Sequence, residues 1–168
     1  MLARTPAALI ILDIDFFKRI NDEHGHPVGD RVIIEMVARI QRNLPPTASI
    51  GRIGGEEFTI LLPNTWLSDA VSVAGAILAS LNASPLNALP EQLVTASLGV
   101  SYSAPGSDFE TLYYNADAAM YDTKKHGRNP FSSADRPSAR PFLILWRALV
   151  AARRPLLRLK NTLFHKYL

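Results

Sequence analysis

The 168-residue sequence predicts an α+β fold, a central mixed or antiparallel sheet flanked by helices. Three observations predict it. An isoleucine-rich apolar run ends in a carboxylate, longer stretches repeat apolar residues at helical spacing, and RIGGEEFTILLP, residues 52–63, reads as a β-hairpin.

Ala8 to Asp13 is the apolar run, as expected for a strand buried on both faces whose last residue emerges at the sheet edge. FFKRINDEHGH follows as a short polar helix broken near Gly25. Pro27 to Leu44 places Val28, Val32, Met36, Ile40 and Leu44 four residues apart, joined by Ile33 and Val37, a helical stripe that faces a core. Pro45 and Pro46 are expected to stop it. Ala48–Ile53 and Phe58–Leu62 are short strands separated by GGEE. A helix from Leu67 to Leu81, an Asn/Ser/Pro-rich loop, a strand from Leu93 to Tyr102 and a helix from Phe109 to Lys125 complete the order, with Gly127 closing the last helix.

A chain of this length buries about 70% of the surface its unfolded form exposes, so a real core is available. Hydrophobic residues at 48% and charged residues at 20% fit a globular protein and exclude a disordered one. The absence of cysteine excludes a disulfide framework, a thiolate metal site and a cysteine nucleophile, and suits a cytoplasmic setting. The opening AALIIL is too short for a membrane span and has no secretory cleavage pattern. The net charge of +3 hides an asymmetry: residues 129–168 carry eight Lys or Arg against Asp135, leaving ten basic and fourteen acidic residues in 1–128. The division is therefore an acidic domain, 1–132, and a basic tail, 133–168.

In the hairpin, Gly54 and Gly55 suit a tight turn with positive φ, and also leave room for a flat group against the backbone. Glu56 and Glu57 stand at its tip as adjacent like charges, which a cation or a shared proton must relieve. By themselves they also fit a solvated turn. ILDID, however, ends a central strand with Asp13 and Asp15, and a neighbouring hairpin brings its glutamates toward Asp13. Carboxylates from two strands plus a backbone carbonyl are the hard oxygen ligands Mg²⁺ takes at about 2.1 Å, with phosphate oxygens completing the shell. Lys18 is placed to meet phosphate, and Asn21, His26 and Asp30 to read a base edge. Lys124 and Arg128 add positive charge where a helix C-terminus alone also attracts it.

LDIDFFKRIND, GH, GDRV, RIGGEEFTILLP, VTASLGVS and NADAAMYDTKKHGRN, in this order, resemble the GGDEF domains, the bacterial diguanylate cyclases. The resemblance runs from about Ala8 to Asn129. It implies a palm-like α+β fold similar to nucleotide cyclases, and condensation of two GTP into cyclic di-GMP and pyrophosphate by a homodimer that holds one GTP per subunit. It also implies Mg²⁺, with Mn²⁺ as a substitute, on Asp13, the Ile14 carbonyl, Glu56 and Glu57, with Glu56 as candidate base for the ribose 3′-hydroxyl. Asn21 and Asp30 would read guanine with His26 nearby. The Phe16 and Phe17 amides, Lys18, Lys124 and Arg128 would hold phosphates, Lys18 as transition-state stabiliser, while Gly54 and Gly55 lie under the nucleotide. A non-catalytic module binding GTP or cyclic di-GMP is the alternative.

Three departures stand out. Where the family carries an Arg-x-x-Asp inhibitory product site, this chain has Pro45-Pro46-Thr47-Ala48, so product is expected in the active-site half-pocket. Where the family has a helix and an L-T-x-L-x-N-R segment before the first strand, this chain has MLARTP, as in a piece of a longer protein or a chain whose start is lost. Nothing in the pattern accounts for the tail. There, Phe142, Leu145, Trp146, Leu149 and Val150, then Leu156, Leu157, Leu163, Phe164 and Leu168, form two amphipathic pieces around Pro155, with Arg147, Arg153, Arg154, Arg158 and Lys160 interspersed. They suit packing on this domain or its twin, a partner protein, or an acidic membrane surface. No groove-reading motif accompanies the charge, which argues against nucleic acid.

Overall fold

The computed structural model of the protein describes residues 5–103, 108–125 and 131–134. Two units divide the chain, Met1–Arg136 and Pro137–Leu168. The first holds every element named below; Gly127, Arg128 and the basic tail lie outside the described residues.

The elements follow the expected order. Strand β1 (Ala7–Ile14) is followed by α1 (Phe17–His24), α2 (His26–Gln41), the hairpin strands β2 (Ser49–Arg52) and β3 (Glu57–Pro63), α3 (Leu67–Asn82), β4 (Ala96–Ser103) and α4 (Phe109–Lys125). A short strand β5 (Phe131–Ala134), which the sequence pattern does not announce, adds to the sheet. Strand order is β2-β3-β1-β4-β5. Every pairing is antiparallel except the parallel one of β4 with β5.

β1 is central, which is why its residues are apolar without alternation: both faces are covered. Its even residues, Ala8, Ile10, Leu12 and Ile14, meet Val32, Met36 and Ile40 of α2 and Ala74, Ile77 and Leu81 of α3 in one buried cluster. Full burial of such side chains is worth about 1.5–3 kcal/mol each. The odd residues face α4. There Gly99 of β4 lets the helix approach so closely that a Cβ on it would lie 2.0 Å from the Ala116 carbonyl oxygen and 2.3 Å from the Met120 nitrogen. The Ser101 hydroxyl donates to the Leu112 carbonyl at 2.6 Å, and the Thr123 hydroxyl to the Leu98 carbonyl at 3.2 Å. These contacts set α4 on the sheet up to its last turn, where Lys124 stands.

Two helix boundaries have identifiable local causes. Gly25 separates α1 from α2 with φ of 82°, a conformation that other residues rarely adopt. α2 ends at Gln41, earlier than Leu44, because Asn43 turns its side-chain amide back onto the Arg39 carbonyl at 2.9 Å and the residue before a proline avoids helical angles.

Candidate active site

β1 delivers Asp13 to the point where its ladder with β3 ends. Asp13 lies opposite Glu57, the first residue of β3. Directly opposed residues of an antiparallel pair project from the same face, with Cβ atoms about 4.5–5.5 Å apart. Glu56 precedes β3 in the loop, and its carbonyl accepts the Ile14 amide at 3.1 Å. The glutamates thus stand at the base of the hairpin beside β1, and the glycines form its tip.

Neither Gly54 nor Gly55 has positive φ. The connection between Arg52 and Glu57 is longer than a two-residue turn, so left-handed angles are not required. Local packing does not demand glycine either: a Cβ on Gly54 would lie 3.1 Å from the mobile end of Glu57 at Oε2, and one on Gly55 would meet nothing within 4 Å. The tip is held instead by Arg52, whose Nε donates to the Gly54 carbonyl at 3.1 Å and whose Nη2 donates to the Gly55 carbonyl at 2.6 Å. Sequence reasoning passed over this arginine, although its place two residues before the glycine pair was the available signal.

The carboxylates share one electrostatic environment. Asp13 is 5% exposed, and burial holds its carboxyl above the ordinary range, helped by the charges of Glu57 and Asp15 and opposed by Lys124. Glu56 is raised as well, first by burial, then by the negative charges of Asp13 and Glu57. The opposing cation is in contact: Lys124 Nζ lies 2.9 Å from Asp13 Oδ2. Lys124 therefore reaches the carboxylate cluster from the end of α4.

Asp15 takes a different part. Its Oδ1 accepts the Ser97 hydroxyl at 2.7 Å, its Oδ2 accepts the Thr95 hydroxyl at 2.8 Å, and its amide donates to the Thr95 carbonyl at 2.9 Å. This knot ties the end of β1 to the start of β4. Immediately after it, Phe16 adopts φ of 57° and ψ of 26°, a left-handed conformation for a bulky aromatic that is 58% exposed, and serves as N-cap of α1. Such a residue stores about 1–3 kcal/mol of strain and persists because its surroundings impose it. The left-handed step ahead of a right-handed helix turns successive N–H groups to one side, a concavity suited to anions, at a helix start whose first amides lack intrahelical partners. Phe17 is buried beneath this turn, and Lys18 is exposed in the first turn of α1.

The other predicted residues gather between α1 and α2. Asn21 lies one turn after Phe17, and its Oδ1 is buried with no hydrogen-bond partner among the described residues. Gly29, in the second turn of α2, packs against it: a Cβ there would lie 1.9 Å from Asn21 Oδ1. Asp30 and His26 are exposed on the same turns of α2.

Among the described residues no three acidic or histidine side chains converge as a ready-made metal cage. The donor chemistry nevertheless fits a hard divalent cation, because two carboxyls held high first by burial and then by neighbouring negative charge, with a third placed opposite Asp13 by strand register, are the arrangement such an ion relieves.

Residues 2–130 match the family described as diguanylate cyclase, GGDEF domain. The response regulator PleD of Caulobacter vibrioides is 40% identical over 132 residues, 76% of this chain and 29% of PleD. The bifunctional diguanylate cyclase/cyclic di-GMP phosphodiesterase MucR of Pseudomonas aeruginosa is 35% identical over 125 residues, 74% of this chain and 18% of MucR. The chain thus spans under a third of the length of these relatives. Among solved structures, the active GGEEF domain of a diguanylate cyclase from Vibrio cholerae superposes with a TM-score of 0.74 at 33% identity, covering 80% of this chain and 86% of that one. The GGDEF domain of DgcB from Caulobacter crescentus, in complex with c-di-GMP, superposes at 0.73 with 33% identity, covering 79% and 80%.

Proposed function

The chain belongs to the GGDEF family of diguanylate cyclase domains, and on that premise we propose that it condenses two molecules of GTP into cyclic di-GMP. In each of two equivalent steps a ribose 3′-oxygen forms a bond to the α-phosphorus of the other GTP, the bond from that phosphorus to the bridging oxygen breaks, and pyrophosphate leaves with its electron pair. Two nucleotides must face each other, so the reading requires a homodimer with one GTP per subunit.

The observation that supports it best is the opposition of Asp13 and Glu57 across β1 and β3, with the raised carboxyl of Glu56 beside them. Asp13, the Ile14 carbonyl, Glu56 and Glu57 would hold Mg²⁺ or Mn²⁺, which when bound neutralises phosphate charge and polarises the α-phosphate. Glu56 accepts the 3′-hydroxyl proton, a task for which a carboxyl raised toward neutrality is suited. The turn at Phe16 presents the Phe16 and Phe17 amides to phosphate, Lys18 stabilises the transition state, and Lys124 joins from α4. Arg128 completes the phosphate contacts in this reading and lies outside the described residues. Asp30 accepts the N1 and N2 protons of guanine, an edge on which adenine presents an acceptor instead, and Asn21 and His26 flank the base. Gly55, open to solvent, leaves the turn free to lie against the nucleotide.

Incubation of the purified protein with GTP and Mg²⁺, followed by chromatographic detection of cyclic di-GMP, tests the proposal. Product is expected, at a rate that rises steeply with protein concentration because dimers form. GTP binding without product at high protein concentration would assign the domain to the non-catalytic alternative. Among the described residues no helix is long and apolar enough to cross a membrane; we further propose that the basic tail attaches the domain to a membrane surface or to a partner, tested by vesicle co-sedimentation with and without residues 136–168.

A further inference from the structure

Gly29 occupies an interior helical position, and its φ is not left-handed, so nothing in its own backbone calls for glycine. Helix propensity alone favours alanine there. The reason for glycine lies across the helix pair. A Cβ at 29 would fall 1.9 Å from Asn21 Oδ1 and 3.0 Å from its Cγ, and 3.2 Å from Phe17 Cζ. Phe17 and Asn21 are one turn apart on α1, so a single missing methyl group makes the seat for both.

From this contact we propose that Gly29 is a specificity-determining position: its bare backbone seats the Asn21 carboxamide so that it reads the 2-amino group of guanine. The inference rests on the guanine-nucleotide reading above and deepens it. Asn21 Oδ1 is a buried acceptor that takes no hydrogen bond from the described residues, and buried acceptors of this kind are costly unless a donor arrives. Guanine supplies one. Its exocyclic amine carries two protons, and when Asp30 takes the first together with N1–H, the second points along the sugar edge of the base. Gly29 and Asp30 are consecutive, so one residue of α2 seats a reader and the next is a reader.

Asn21 is short and ends in the group that would be struck, so the strain of a methyl group is relieved by rotating the reader away while the helices stay in place. Gly29→Ala is therefore expected to fold with an unchanged or higher Tm and to lose base discrimination. The test is calorimetric titration of wild type, Gly29→Ala, Asn21→Ala and the double variant with GTP, with ITP, which lacks the 2-amino group, and with inorganic tripolyphosphate, all in Mg²⁺. Wild type is expected to prefer GTP over ITP. Gly29→Ala is expected to weaken GTP by about 10- to 100-fold and to leave ITP and tripolyphosphate nearly unchanged. In the Asn21→Ala background the same substitution should cost little more, since coupled residues are not additive. A preserved GTP/ITP ratio, an equal loss for both nucleotides, a lowered Tm, or a full additional loss without Asn21 would each overturn the assignment of Gly29. A wild-type protein that binds no guanine nucleotide would overturn the functional reading itself, a distinguishable outcome.

Discussion

Lys124 Nζ stands 2.9 Å from Asp13 Oδ2, which joins the last turn of α4 to the end of the central strand. The pair places the cation in the carboxylate cluster, so its loss has two consequences. Asp13 would remain buried with a charge it can no longer share, at a cost of about 1–3 kcal/mol, and in the proposed function the phosphates would lose a donor.

Lys124→Met is expected to lower Tm without divalent cation and to recover most of the loss when Mg²⁺ is added, because the ion takes over neutralisation of Asp13. Cyclic di-GMP formation should fall by about 10²–10³-fold, as for removal of one transition-state donor. Thermal melts with and without Mg²⁺, paired with product assays, check both parts; a loss of Tm that Mg²⁺ does not touch would sever Lys124 from the carboxylates.

The raised carboxyls of Asp13 and Glu56 predict a sign for pH dependence. A carboxyl raised on folding holds a proton that the unfolded chain has shed, so its favourable contribution is full below the ordinary carboxylate pKa, about 4, and is lost as pH rises through the raised value. Glu56→Gln removes that late ionisation. Its Tm should exceed that of wild type near neutral pH and converge with it in acid, measured without divalent cation; a gap that widens on acidification would contradict burial and like-charge repulsion as the cause.

Asp15 should act through the turn that follows it. Asp15→Ala leaves the Thr95 and Ser97 hydroxyls without their carboxylate acceptor, at the residue directly before the left-handed Phe16. A loss of about 1–3 kcal/mol in stability is expected, with KM for GTP raised more than Kd for guanosine, since in the proposed function the altered turn faces phosphate. Asp15→Asn, which retains one acceptor, should restore part of both.

Residues 45–48, Pro-Pro-Thr-Ala, carry no charge with which to grip a product dimer. Cyclic di-GMP is therefore expected to bind in the active-site half-pocket and to compete with GTP. Tight binding that is independent of GTP and survives Asp30→Ala would contradict this.

The parts of the fold that follow from local periodicity were legible beforehand. α4 spans Phe109–Lys125 as its spacing indicates, and β1 has the two-sided burial that its uninterrupted apolar run implies. β5 was not legible, because four residues without alternation gain strand character only from the neighbour they pair with. At the site, the residue types pointed to the chemistry, but the relations between distant segments did not show. The register that sets Asp13 against Glu57, the hydroxyls that Thr95 and Ser97 lend to Asp15, and the contact of Gly29 with Asn21 arise from packing across many residues. The left-handed backbone of Phe16 had no signal at all, since an aromatic is among the residues least expected there.

The two ends of the candidate site belong to opposite sides of the sheet. Asp13 faces the layer of α4, whose Lys124 it meets, whereas Asn21 and Gly29 belong to the α1–α2 layer, packed on the other side. A nucleotide that met both, as the proposed function requires, would therefore span the sheet from one helical layer to the other past the end of β1, and each layer would answer for one end of it.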